Sequence, residues 1–184
     1  MAPRDRCRCD AESEPADSRP EMSDEPKSMW SEEMAAQVDN AWRDLVPHNA
    51  AIGIEVVRIR VGEVWTRLKW AEKLVGNPAT GVIHGGALST LLDASGGLAV
   101  ATRIGRPSPI ATLDLRIDYM RPAERAKDIQ VRMECYAVRR SVAFVRGVAF
   151  HDDESDPIAT CAATFARKHA AEPGERERRG REGA

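Results

Sequence analysis

Hydrophobic positions along the chain change their period several times, and each change marks an element. Between residues 31 and 46, "SEEMAAQVDNAWRDLV" places Met34, Val38, Ala41, Trp42 and Leu45 near helical spacing. This predicts an amphipathic helix with Ser31 as N-cap and Pro47 just past its end. The period then drops to two. Val57, Ile59 and Val61 alternate with Arg58 and Arg60, and a turn at Gly62–Glu63 leads into Val64, Thr66, Leu68 and Trp70, the pattern of two strands. A long, almost wholly apolar helical segment follows from 85 to 103. Alternation returns with Ala111, Leu113, Leu115, Ile117 and Tyr119 on one face and Thr112, Asp114, Arg116 and Asp118 on the other, and again with Ile129, Val131, Met133 and Cys135. "VAFVRGVAF" and "IATCAATFA" make two more strands, joined across the turn signal "HDDESDP". The order is helix, two strands, one long helix, four strands. Strands so closely spaced favour an antiparallel sheet. Its apolar face needs a cover, and the long helix supplies one, so the class is α+β.

That helix carries the chemistry. Projected at about 100° per residue, Leu88, Leu91, Leu92, Ser95 and Ala99 form a stripe that should pack on the sheet, opposite Ser89, Thr90, Asp93, Gly96, Gly97 and Val100. A solvated face would carry Lys, Glu or Arg, yet Asp93 is the lone charge between His84 and Arg103. The helix should therefore be covered on both sides, the second by a partner subunit. Gly96 and Gly97 mark either tight packing or a helix break. Asp93 reads as a solvent-facing Asp or as a carboxylate in partly apolar surroundings, open to use as a base. At the helix start, first-turn N–H groups lack intrahelical partners and sit at the positive end of the dipole, where they can hold an oxyanion. Gly85 and Gly86 leave room there for a substrate carbonyl, and His84 is a capping or core histidine or a site residue. Nine residues separate it from Asp93, so the two side chains do not form a relay within one chain, and no Ser or Cys stands in an elbow context.

Composition narrows the classes. With 184 residues the chain holds one domain with a sizeable core. Residues 1–28 and 171–184 are polar, charged and poor in large apolar side chains, and are expected to be disordered tails around a domain at 29–170. A net charge of −2 gives no electrostatic footprint for nucleic acid or an anionic membrane. No apolar run approaches the roughly 20 residues that span a bilayer, and the first residues lack the apolar core of a signal peptide, so a cytoplasmic location is expected. Cys7 and Cys9 lie in the polar tail, Cys135 and Cys161 in apolar runs. No metal framework emerges, and neither metal nor cofactor is expected.

"G-x-x-H-G-G-x-x-x-x-L-x-D" after an Asn, followed by "D-L-R-I-D-Y-M-R-P-A", resembles the PaaI-like group of hotdog-fold acyl-CoA thioesterases over roughly Pro47 to Arg167. The resemblance implies a six-stranded antiparallel sheet wrapped around one long central helix. It also implies homodimers that associate into homotetramers, with acyl-CoA as substrate. By position it places the nucleophile or general base on Asp93 and the amide that polarises the thioester carbonyl on Gly85, with His84 just before it. The Asn that orients carbonyl or water falls on Asn77 and a hydroxyl on Thr112, with Asp93 and Asn77 contributed by different subunits. Gly86 would line the substrate, and Arg121, Arg139 and Arg140 would contact the coenzyme A phosphates. Two other readings stand beside thioester hydrolysis: a non-catalytic acyl-CoA-binding hotdog protein, and a hotdog hydratase or dehydratase. The latter fits less well, because in "GNPATGVIH" Gly76 stands where such enzymes carry Asp and the His comes late.

Overall fold

The computed structural model describes residues 32–105 and 108–167. Ser31, the tails expected at 1–28 and 171–184, and Cys7 and Cys9 lie outside them. The chain runs α1 (Glu32–Leu45), α2 (Pro47–Ile52), β1 (Ile54–Arg60), β2 (Glu63–Leu68), a 3-10 turn (Glu72–Leu74), β3 (Val75–Asn77), β4 (Val82–Ile83), α3 (Gly85–Ile104), β5 (Ile110–Tyr119), β6 (Ile129–Val138), β7 (Val142–Phe150) and β8 (Ala159–Arg167). Six strands form one antiparallel sheet in the order β1-β2-β6-β7-β8-β5. It curls around α3, the hotdog arrangement that the resemblance implies. Pro47 lies just past the end of α1 as expected, and it also opens α2, taking the first helical position, where its missing N–H costs nothing. The α2 helix, the 3-10 turn and the β3–β4 hairpin were not anticipated from periodicity. Each is shorter than the window in which a period can be seen.

Alternation holds where the sheet is regular. Ile129, Val131, Met133 and Cys135 are each 3% exposed or less, and Val64, Thr66 and Leu68 likewise point inward from β2. It fails on the two edge strands, and both failures are bulges. In β1 the register slips between Val56 and Arg58, so Val56 and Ile59 are buried while Val57 is 45% exposed. In β5 it slips between Thr112 and Asp114, leaving Leu113 60% exposed. One extra residue reverses the parity of everything before it. Hence Val57 does not share the face of Ile59, and Leu113 does not share that of Leu115 and Ile117. Val61, also exposed, lies past the end of β1 in the turn to β2.

The α3 helix is continuous through Gly96 and Gly97. Leu88, Leu91, Leu92, Ser95 and Ala99 pack inward as expected, but Gly96, Leu98 and Val100 are buried as well, because the curled sheet embraces more than one stripe. Burying a Leu such as Leu91 or Leu92 stabilises the fold by about 1.5–3 kcal/mol. A polar pin fixes the register. Ser95 Oγ lies 2.6 Å from Thr66 Oγ1 on β2 and donates at 2.6 Å to Leu91 O. At the far end the β1–β2 turn needs Gly62, whose φ of +77° disfavours a side chain. Its N–H donates to Thr102 Oγ1 at 3.2 Å, and its carbonyl accepts from Cys135 N–H at 2.7 Å. Cys135 and Cys161 are free and buried, and burial pushes the Cys161 thiol up to about 11.

The α1 helix lies against β1. Asp39 Oδ1 accepts the Val56 N–H at 2.6 Å, beside the bulge, so the exposed sheet edge is capped by the helix. Arg43 joins Asp39 at 3.0 Å and Glu55 at 3.4 Å. Burial works against the Glu55 carboxylate, yet hydrogen bonds from Lys69 and Arg67 hold it below its ordinary range.

The two glycines of α3 separate by experiment. A Cβ at Gly96 would sit 2.9 Å from two ring carbons of Phe165, itself 2% exposed, whereas one at Gly97 would meet Ile110 Cδ1 at 3.5 Å. Gly96→Ala should cost about 1–3 kcal/mol by overpacking, against a helix-propensity gain of at most ~1 kcal/mol. Gly97→Ala should be neutral or stabilising. Urea unfolding of the two variants checks this, and a Gly96→Ala protein as stable as Gly97→Ala contradicts the packing described.

Candidate active site

Asp93 sits half-buried on the side of α3 that the sheet leaves open. Thr112 Oγ1 donates to its Oδ1 at 2.7 Å. That contact depends on the β5 bulge: counted from Leu115 and Ile117 by strict alternation, Thr112 would face away from the helix, and the extra residue at Leu113 turns it inward. The pair lies in a cleft of about 690 Å³ bounded by α1, α2, α3 and the start of β5. Val38, Trp42 and Leu45 of α1 form one wall, Ile110 and Phe165 another, and Gly97 and Ala101 the floor. Asp93 is the only Asp, Glu, Lys or Arg among the lining residues.

The start of α3 is built differently. His84 caps the helix from an extended conformation (φ −61°, ψ 133°), its Nδ1 accepting the Gly86 N–H at 2.9 Å. The backbone anchors it, with His84 N–H donating to Leu74 O at 2.8 Å and His84 O accepting from Ala87 N–H at 2.9 Å. The Gly85 carbonyl accepts from Tyr119 OH at 3.1 Å and Ser89 Oγ at 3.0 Å, and these two hydroxyls lie 2.9 Å apart. The Gly85 N–H has no acceptor among the described residues, so it is the free donor at the positive end of the helix. Gly86 has given its N–H to His84 and serves the cap. Ser89 and Tyr119 escaped sequence reasoning because a serine one turn into a helix and a tyrosine ending a strand carry no signal until the fold joins them.

The structure joins Asp93 to Thr112, and His84 to Gly85 and Gly86, but not the one set to the other. Eight residues at about 1.5 Å each put Gly85 and Asp93 ~12 Å apart along the helix, too far to touch one carbonyl. Asn77 ends β3, exposed, its Oδ1 accepting from Ala79 N–H at 3.0 Å. It does not line the Asp93 cleft. The three arginines do not converge either. Arg121 lines a smaller pocket of about 390 Å³ with Gly85 and Tyr119, and its guanidinium is engaged by Asp156 at 2.8 and 3.1 Å. Arg139 and Arg140 are exposed in the β6–β7 turn, a full strand length of about 30 Å away. No group of three or more potential metal ligands occurs among the described residues, and none of their helices is long and apolar enough to cross a membrane.

Comparison with known proteins bears on this site. A family profile described as the thioesterase superfamily matches residues 80–158, the stretch holding His84, Gly85, Asp93 and Thr112. The medium/long-chain acyl-CoA thioesterase YigI of Escherichia coli K12 is 30% identical over 133 residues, covering 65% of this chain and 84% of that protein. A crystal structure of a Pseudomonas aeruginosa protein superposes with a TM-score of 0.65 at 36% identity, covering 72% of this chain and 98% of the other. The Escherichia coli PaaI protein, at 15% identity and a TM-score of 0.64 over 74% of this chain and 95% of that one, shares the fold.

The cap makes a stability prediction. His84→Ala removes the acceptor for the Gly86 N–H and should cost about 0.5–2 kcal/mol, while His84→Asn, which can cap in the same way, should recover most of it. Denaturant melts of the three proteins test this, and an unchanged His84→Ala midpoint would rule out the capping role.

Proposed function

The chain belongs to the thioesterase superfamily, and from that premise we propose that it hydrolyses acyl-CoA thioesters to the free acid and coenzyme A, with Asp93 as general base or nucleophile. The observation that carries this reading is the Thr112–Asp93 hydrogen bond, 2.7 Å long, at a cleft with no other charged lining residue. As a base, Asp93 takes a proton from water, and the hydroxide attacks the carbonyl carbon. The tetrahedral oxyanion collapses, the C–S bond breaks, and the thiolate leaves and takes up the proton. As a nucleophile, Asp93 attacks the carbonyl carbon, the C–S bond breaks and coenzyme A leaves as the thiolate. Water then cleaves the mixed anhydride, releasing the acid and the proton that the thiolate takes up. Thr112 orients the carboxylate in either route by donating to Oδ1.

The oxyanion requires a donor, and the Gly85 N–H is the free one. The ~12 Å between Gly85 and Asp93 along α3 supports a site composed from two copies of the chain. Asp93 and Thr112 of one copy would work with Gly85, His84 and Asn77 of the other, which makes the active unit a homodimer. Arg139 and Arg140, exposed at a turn, are the arginines best placed to meet coenzyme A phosphates. Arg121 already has Asp156 as its partner.

Asp93→Asn preserves size and removes the base, so turnover in a coupled thiol-release assay over an acyl-CoA panel should fall roughly 10²–10⁴-fold. Wild-type-like single-turnover rates in that variant would exclude Asp93 and leave the non-catalytic binding reading in its place.

Gly85→Pro isolates the oxyanion donor. Position 85 is the first helical residue, where Pro is tolerated, and the extended conformation of His84 suits a residue before Pro. The variant should fold, lose the N–H and lose roughly 10²–10³ in kcat. Co-assembly of Asp93→Asn with Gly85→Pro chains should restore about a quarter of wild-type activity, because half the sites in each mixed two-fold dimer are intact. No recovery on mixing means that each site draws both groups from one chain.

A further inference from the structure

The cleft beside Asp93 has a length as well as a volume. Its floor follows one face of α3: Asp93, Gly97, Ala101 and Gly105 all line it at four-residue spacing. At about 1.5 Å per residue these positions lie ~6, ~12 and ~18 Å beyond Asp93. The opposite wall is α1, with Val38, Trp42 and Leu45 facing the floor. Beyond Asp93 the lining holds no Asp, Glu, Lys or Arg, and its polar side chains, His48, Asn49, Thr90 and Thr102, are outnumbered by apolar ones, which suits an alkyl group. Its polar end is the Thr112–Asp93 pair, where the proposed function places the thioester carbon.

We infer that the cleft is a ruler for an unbranched alkyl acyl chain, lying between α1 and α3 with its carboxyl end at Asp93, and that residues 97 and 101 set its length. The inference rests on the proposed function for which end of the chain reacts. An extended alkyl chain with carbon–carbon bonds of about 1.5 Å advances ~1.3 Å per carbon. The floor to Gly105 therefore holds about 14 carbons, the floor to Ala101 about 9, and the floor to Gly97 about 5. The floor is made of glycine and alanine, so the chain occupies space that larger side chains would fill. Gly97 can take such a side chain without a backbone clash, since its added Cβ meets only Ile110 Cδ1 at 3.5 Å and Phe165 Cε1 at 3.8 Å. The α1 helix is held over the floor by the Asp39–Val56 hydrogen bond at 2.6 Å and the Arg43–Glu55 ion pair at 3.4 Å, which keeps the width of the ruler fixed.

Two panels test this on the full chain. In the first, straight-chain primary amides, uncharged at the end that meets Asp93, are titrated calorimetrically. Affinity should rise about fourfold per added carbon, the share of one buried methylene, and level off near 14 carbons in wild type. It should level off near 9 carbons in Ala101→Leu and near 5 in Gly97→Leu. In the second, kcat/KM is measured over the matching acyl-CoA series, and its optimum should shorten in the same order. Either variant suffices should the other fail to fold, which circular dichroism reports. A length-independent affinity, or plateaus that stay put in a folded variant, overturns the ruler whatever the turnover. Plateaus that move as stated in a protein that hydrolyses none of the thioesters leave the ruler standing and overturn the hydrolytic reading instead.

Discussion

A 20-residue helix with Asp93 as its one charge before the last turn cannot face water, and the molecule is organised around covering it. The sheet does most of this work. Its curl reaches past the leucine stripe to Gly96 and Val100, and the Thr66–Ser95 pin fixes how far along the sheet the helix sits. What the sheet leaves open is the strip holding Thr90, Asp93, Gly97 and Ala101, and α1 roofs that strip without filling it. The cleft is thus the unfilled remainder of the covering problem. This explains why an apolar helix carries its carboxylate there and nowhere else: on any other face Asp93 would be buried against the sheet with no acceptable partner.

Much of this could be read from the residues alone, because period and composition report burial directly. The strand β2, the regular stretch of β6 from Ile129 to Cys135 and the long helix followed from spacing, and Asp93 stood out because its neighbours are uncharged. General helix physics marked the first turn of α3 as a place for an oxyanion, while Gly85 as its donor and the rest of the site were carried by the family resemblance. What escaped has one physical character. Bulges insert a residue without changing composition, so Val57 and Leu113 look like any other alternating positions. The α1 wall and the Ser89–Tyr119 contact with Gly85 are tertiary juxtapositions with sequence separations of tens of residues. Pro47 marks the end of α1 but gives no sign of α2, because a proline that follows one helix and a proline that begins the next have the same neighbours.

The two edge strands show how far such local irregularities matter. β1 and β5 close the sheet at either side, and both carry a bulge. In β1 the bulge lies beside the N–H that Asp39 caps, which fastens α1 over the helix. In β5 it inverts the residues before Leu113, and this sends Ile110 toward Gly97 and Thr112 toward Asp93. One inserted residue therefore serves the roof of the cleft, and the other serves the floor and the carboxylate.

This division has a consequence for how the site is assembled. The residues before the β5 bulge belong to the Asp93 end of the chemistry, while Tyr119 at the other end of the same strand holds the Gly85 carbonyl. β5 thus touches both halves of the proposed machinery, yet it runs alongside α3 and cannot bring them closer than the helix allows. It is also an edge strand with Leu113 and Tyr119 more than half exposed, the place where a second copy can add its own β5 by strand pairing. An antiparallel pairing about a two-fold axis brings the Tyr119 end of one β5 beside the Ile110 end of the other. In the proposed dimer, that would set the Gly85 N–H of one chain toward the Asp93 carboxylate of the next. The geometry that separates the two groups within a chain is the same geometry that would unite them between chains.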